Sequence, residues 1–148
     1  ILRERPLQLL PPITYAREYF MDNIATGVAA ELRIMSELVI RGFNPAKSYM
    51  DKGVDLILEN GKKIQIKSAN PQRSQQGRLN RCTFSLGRGN NKKKDGYKFV
   101  DYYIFWAIGS KDFWVISAHV LKNKSCFTIP KRVSSKYYIY KNNWEQLK

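Results

Sequence analysis

The chain has few of the residues that build most catalytic and metal centres. Of its 148 residues one is histidine, His119, and two are cysteine, Cys82 and Cys126. With no CxxC pair and a single His, a Cys/His zinc site lacks its ligands and no disulfide framework can be read. His119 is expected to be structural, and Ser/His/Asp or Cys/His nucleophilic catalysis has little to work with. No run approaches the roughly 20 apolar residues of a membrane span. No signal peptide, lipid signal or basic amphipathic helix stands out, so the expectation is an intracellular protein, cytoplasmic or nucleoid-associated, with no membrane partner. Acids are scarce as well: 12 Asp and Glu stand against 26 Lys and Arg, a formal net charge of +14.

What is present is the composition of a folded domain, 43% hydrophobic and 13% aromatic. The length suits one domain with its own core. The charge is concentrated. Residues 1–61 carry seven basic and eight acidic side chains, residues 62–98 eleven and one, and residues 99–148 eight and three. The central stretch is also rich in Gln, Asn, Ser and Gly, as in Asn70-Pro71-Gln72-Arg73-Ser74-Gln75-Gln76-Gly77-Arg78. Arg and Lys hold phosphates, while Asn, Gln and Ser hydrogen-bond both backbone and base edges. A nucleic acid is therefore the expected partner. Ser68, Arg73, Arg78, Arg81, Arg88, Lys92, Lys93 and Lys94 are the candidate contacts.

Residues 1–13, with Pro6, Pro11 and Pro12, read as an arm or linker, and residues 14–148 as a single domain. From about Thr14 the pattern is helical. Ile24, Val28, Leu32, Met35 and Val39 step by three or four and predict one apolar stripe. Gly27 weakens the middle, with Thr26 a possible N-cap of a second helix. Gly42 is placed to end the helix, and Asn44-Pro45 follows as a stop signal. Residues 54–58 and 63–67 alternate around Glu59-Asn60-Gly61 and predict a hairpin. Strands are also expected at 81–86, within 99–108 and, after Gly109-Ser110, at 113–117. Tyr102, Phe105, Trp106 and Trp114 are expected in the core. The order, with a helix before the hairpin, predicts one α+β or α/β domain.

The hairpin register decides whether its polar residues share a face. A two-residue Asn60-Gly61 turn would set Asp55 and Gln65 on opposite faces. A three-residue Glu59-Asn60-Gly61 loop, closed by a left-handed glycine, sets Asp55 opposite Gln65 with Lys67 on the same face. It also leaves Leu56, Leu58, Ile64 and Ile66 together, uniformly apolar, and is the expected register. Glu31, beside Val28 and Met35 at the border of the helix stripe, needs a partner there. Lys67 or a metal would serve.

Glu31, Gly53-Val54-Asp55 and Gln65-Ile66-Lys67 resemble the active-site pattern of the PD-(D/E)XK nuclease superfamily. The resemblance covers roughly residues 26–69, and the aromatic strands beyond look like the second half of that restriction-endonuclease-like fold, which implies a central mixed sheet with a helix before the catalytic hairpin. Val54 stands in place of the signature proline and Gln65 in place of the acid before the lysine. The Gln variant is similar to a branch of group I intron-encoded homing endonucleases; small archaeal Holliday-junction resolvases share the layout with an acid there. The resemblance implies a Mg²⁺-dependent (or Mn²⁺-dependent) DNA endonuclease acting on double-stranded DNA, of homing or restriction type. A junction-resolving nuclease and a catalytically inactive binding module on the same fold remain the alternatives.

It also implies roles. Asp55, the Gln65 amide oxygen and the Ile66 carbonyl would hold the cation. Glu31 would bind a second one or orient the attacking water, and Lys67 would stabilise the phosphate. One site per domain implies a homodimer or homotetramer for cutting two strands. Replacing an acid by Gln65 removes one negative charge, so metal affinity is expected to be weaker than in acidic relatives, with activity needing millimolar-scale Mg²⁺ or Mn²⁺. Calorimetric titration without DNA measures this, and tight micromolar binding would contradict it.

Overall fold

The computed structural model describes residues 23–49, 53–70, 82–87 and 94–148. The expected arm at residues 1–13 lies outside them, as do Arg73, Arg78, Arg81, Arg88, Lys92 and Lys93. Their order is α1 (Asn23–Ile40), β1 (Ala46–Lys47), β2 (Leu56–Ile57), β3 (Lys63–Ala69), β4 (Thr83–Ser85), β5 (Tyr102–Ala107), β6 (Phe113–Ser117) and β7 (Cys126–Thr128). The fold is mixed α+β, as expected, with one α-helix among the described residues and short 3₁₀ turns between and after the strands.

α1 runs unbroken through Gly27, and Thr26 lies buried inside it rather than capping a second helix. Packing outweighs the roughly 1 kcal/mol that one helical glycine costs. The helix ends as its sequence dictates. Gly42 adopts φ +86, Phe43 N–H donates to Leu38 C=O and Gly42 N–H to Val39 C=O, both at 3.0 Å. This is a Schellman cap, and Phe43 and Leu38 join the same core. The buried stripe differs from the expected one. Ala30, Ile34 and Leu38 are fully buried, whereas Ile24, Val28, Leu32 and Val39 are 80%, 47%, 64% and 60% exposed; of the expected stripe, Met35 alone packs on the core. Both stripes have helical spacing, so periodicity could not choose between them. Small Ala30 lets the helix lie close on the sheet.

The central sheet has the order β1-β2-β3-β5-β6. β3 and β5 run parallel, and the other neighbours are antiparallel. Parallel pairing requires a crossover, so residues 70–101, which hold most of the basic stretch, form the connection between β3 and β5. On one face, Leu56, Leu58, Ile64, Ile104, Phe113 and Val115 pack under α1, closed by Trp144 and Leu147 from the C-terminal turn. The other face is aromatic: Tyr103, Phe105 and Trp114 lie under a ribbon of β4 and β7 that adds Phe84 and Phe127. The strand expected at 81–86 therefore belongs to this ribbon and not to the central sheet. Phe105, Trp106 and Trp114 are buried and Tyr102 partly so, as expected of core aromatics.

The hairpin adopts the three-residue register. Leu56 pairs with Ile64 and Ile57 with Lys63. Leu58 N–H donates to Lys62 C=O and Gly61 N–H to Leu58 C=O, both at 2.9 Å, with Gly61 at φ +83. Asn60 pins the loop by donating to Leu147 C=O at 2.8 Å. The two glycines therefore predict opposite outcomes. Gly27→Ala, in open helical space, should stabilise the fold by about 0.5–1 kcal/mol. Gly61→Ala, forced to positive φ, should destabilise it by about 1–2 kcal/mol. Urea unfolding measures both, and a stabilising Gly61→Ala would contradict the register.

Candidate active site

The main chain of the hairpin changes partners at Asp55. Its N–H still donates to Ile64 C=O at 2.8 Å, but its C=O accepts from Ser48 N–H, on the β1 side, at 2.9 Å. The carboxylate takes over the contact with β3, with Oδ2 accepting from Ile66 N–H at 2.6 Å. A charge-assisted bond of this kind is strong and short. It sets the Asp55 carboxylate against the β3 backbone. Within a strand the N–H and C=O of one residue point to the same side. The Ile66 carbonyl is therefore directed to the side on which Asp55 stands.

Gln65 pairs across the parallel ladder with Tyr103, and Lys67 with Phe105. Both thus stand on the aromatic face, as the alternation of β3 requires. Gly53, at φ +81, brings the chain into Asp55 in a conformation that only glycine adopts freely. A Cβ there would lie 3.8 Å from Gln65 Nε2, so this glycine also borders the amide. Lys67 is half-buried. Burial pushes its ammonium below the ordinary lysine pKa, and the charge of Asp55 partly offsets that. Gln65 and Lys67 thus share one face, while Asp55 is held against the backbone of β3 between them and acts electrostatically on Lys67.

Glu31 stands on α1, which packs on the other face of the sheet. The side chain that Glu31 pairs with is Lys47 of edge strand β1, with Nζ–Oε2 at 2.9 Å, and not Lys67, one of the two partners the sequence offered. Lys47 pairs with Leu56, whose side chain belongs to the α1 face. Glu31's hydrogen bond and charge raise the Lys47 pKa, and Asp55 adds in the same direction. So Asp55 acts electrostatically on two lysines, one on each side of the sheet. Sequence reading missed Lys47. It is one of 26 basic residues, and a two-residue strand has no period to reveal it.

The remaining candidates divide plainly. Ser68 is half-buried on β3 and Lys94 is exposed. Among the described residues no three His, Cys, Asp or Glu side chains gather as a metal cluster. Cys82 and Cys126 are free thiols. His119 is exposed and stands over Tyr97 with ring centroids 5.9 Å apart. The two border a cleft of about 380 Å³ with Lys63, Lys98 and Asp101, at the opposite end of β3 from Lys67. No described helix is long and apolar enough to cross a membrane.

No family model and no curated protein matches the sequence. Among solved structures, the chain is similar to the bacterial homing endonuclease I-Ssp6803I. The TM-score is 0.66 at 15% identity, over 86% of this chain and 92% of that one. The likeness establishes the fold.

Lys67 yields a stability test. Its ammonium is held below its unfolded pKa, so the unfolded chain binds that proton more tightly. This group's contribution to stability therefore rises as pH climbs from the folded pKa to the unfolded one. At neutral pH its charged form is a cost to the fold. Lys67→Met should raise the thermal midpoint at pH 7 and flatten the alkaline side of the stability profile; a lowered midpoint would contradict the assignment.

Proposed function

We propose that this chain is a divalent-metal-dependent DNA endonuclease of the PD-(D/E)XK type, site-specific in the homing or restriction manner. The reading rests chiefly on one observation: the Asp55 carboxylate is bonded to the Ile66 N–H, the residue between Gln65 and a half-buried Lys67 whose ammonium feels its charge. The likeness of the fold to a protein described as a homing endonuclease supports it.

The donor set fits a hard cation. Asp55, the Gln65 amide oxygen, the Ile66 carbonyl and Glu31 are all oxygen donors, the kind Mg²⁺ and Mn²⁺ take. Such a cation would supply Lewis acidity toward the phosphate and a water of lowered pKa. The chain's own groups do the rest. Lys67 places a positive charge, little screened by water, where negative charge grows on the phosphate. Glu31 orients the attacking water. The crossover from β3 to β5 carries the basic stretch, and its β4 part covers the face of Gln65 and Lys67. Ser68, Arg73, Arg78, Arg81, Arg88, Lys92, Lys93 and Lys94 are proposed to grip double-stranded DNA. The protein would act inside the cell, cytoplasmic or nucleoid-associated. Cutting both strands calls for a homodimer or homotetramer.

The scarcity of carboxylates favours a second reading, a non-catalytic DNA-binding module on the same fold. Plasmid nicking with Mg²⁺ separates the two. Asp55→Ala and Lys67→Ala should each lower cleavage by roughly 10²-fold or more, while duplex binding in a gel-shift assay persists. Full cleavage by both variants would overturn the assignment. Binding without cleavage by the unaltered chain would favour the module. A parallel panel of linear duplex and four-way junction separates the site-specific form from a junction-resolving one.

A further inference from the structure

The Glu31–Lys47 pair remains unused by this reading, although it involves one of the two acids of the site. Lys47 stands on β1, the outer strand of the central sheet, with its side chain 65% exposed. Its Nζ lies 2.9 Å from Glu31 Oε2, and it also feels the charge of Asp55. A cation therefore already stands near both acids, and it belongs to the protein. β1 is tied to the site by the Ser48 N–H bond to Asp55 C=O, so Lys47 is anchored two bonded strands from the β3 donors. Its long stem lets the ammonium move without moving the strand.

We propose that Lys47 is a built-in counter-ion of the acid pair: it neutralises Glu31 when no divalent cation is bound, and it turns to a DNA phosphate when one is. The inference rests on the nuclease reading and names a positioning residue within it. A permanent ammonium beside Glu31 competes with a dication for the carboxylate. The same ammonium, released, lies on an exposed edge next to the site, where a phosphate of a bound duplex would meet it. Metal and DNA binding then support each other. The dication frees Lys47 for the phosphate, and the phosphate holds Lys47 away from Glu31.

The test uses the full chain and three proteins: unaltered, Lys47→Met and Lys47→Arg. Mn²⁺ affinity is measured by calorimetry at fixed ionic strength without DNA. An exposed ion pair of this kind opposes a competitor by up to about fivefold, so Lys47→Met should bind Mn²⁺ several-fold tighter and Lys47→Arg about as the unaltered chain does. Duplex binding is then measured across salt concentrations with Ca²⁺ present. Lys47→Met should lower the slope of log affinity against log salt by about 0.9, one phosphate contact, and Lys47→Arg should restore it. A pair that merely ties β1 to α1 would lower the thermal midpoint of Lys47→Met and leave both readouts unchanged; that result overturns the proposal. If the unaltered chain nicks plasmid while these readouts stay flat, the Lys47 proposal falls alone. If the unaltered chain neither binds Mn²⁺ nor nicks plasmid, the nuclease reading falls and the proposal falls with it.

Discussion

Gly61 at φ +83 closes a three-residue loop, and that loop decides which residue of β2 stands opposite which residue of β3. Side chains alternate along a strand, so a slip of one residue would take Leu56 off the apolar face and move the Asp55 carboxylate off the Ile66 N–H. Nothing else in the site tolerates that slip. The carboxylate would lose the Ile66 N–H, Gln65 would lose its place beside Gly53, and Leu56 would leave the core under α1. The apolar packing of Leu56, Leu58 and Ile64 thus holds the register on which the proposed site depends.

Much of this was legible in the chain. Alternation in residues 54–58 and 63–67, with a glycine-ended loop, sufficed for the hairpin and its face sorting, because a period of two is unambiguous when one face is buried. The C-terminus of α1 was equally plain, since Gly42 has one physical use there. The buried face of α1 was not. Ile24, Val28, Leu32 and Val39 and the stripe of Ala30, Ile34 and Leu38 have compatible spacings. The choice between them depends on how closely the helix approaches the sheet, which no local pattern records. Strand 81–86 was recognised as a strand but not as part of a separate ribbon, because its partner, β7, lies far along the chain.

The partnership of Lys47 with Glu31 was illegible for a related reason. It depends on β1, two residues long, finding the edge of the sheet. The sequence identified the acid that needed a partner; tertiary structure chose which lysine supplied it. Lys67 was left on the aromatic face, beside Phe105, where burial makes its charge costly. A side chain held in its less favoured protonation environment is common where chemistry is done, and rare where a lysine only keeps a surface soluble. The +10 of residues 62–98 makes similar sense once β3 and β5 are parallel. The crossover that joins them must pass over one face of the sheet, and its described β4 part passes over the face that carries Gln65 and Lys67.

The central claim is that Asp55, Gln65 and Ile66 together form a cation site. Paramagnetic broadening by Mn²⁺ of the amide resonances of isotope-labelled protein tests it without reference to any activity. At the lowest Mn²⁺ ratios, the signals of Asp55, Ile66 and Lys67 should broaden first. Earliest broadening around Asp101, Asp112 or Glu145, with Asp55 and Ile66 left sharp, would contradict it.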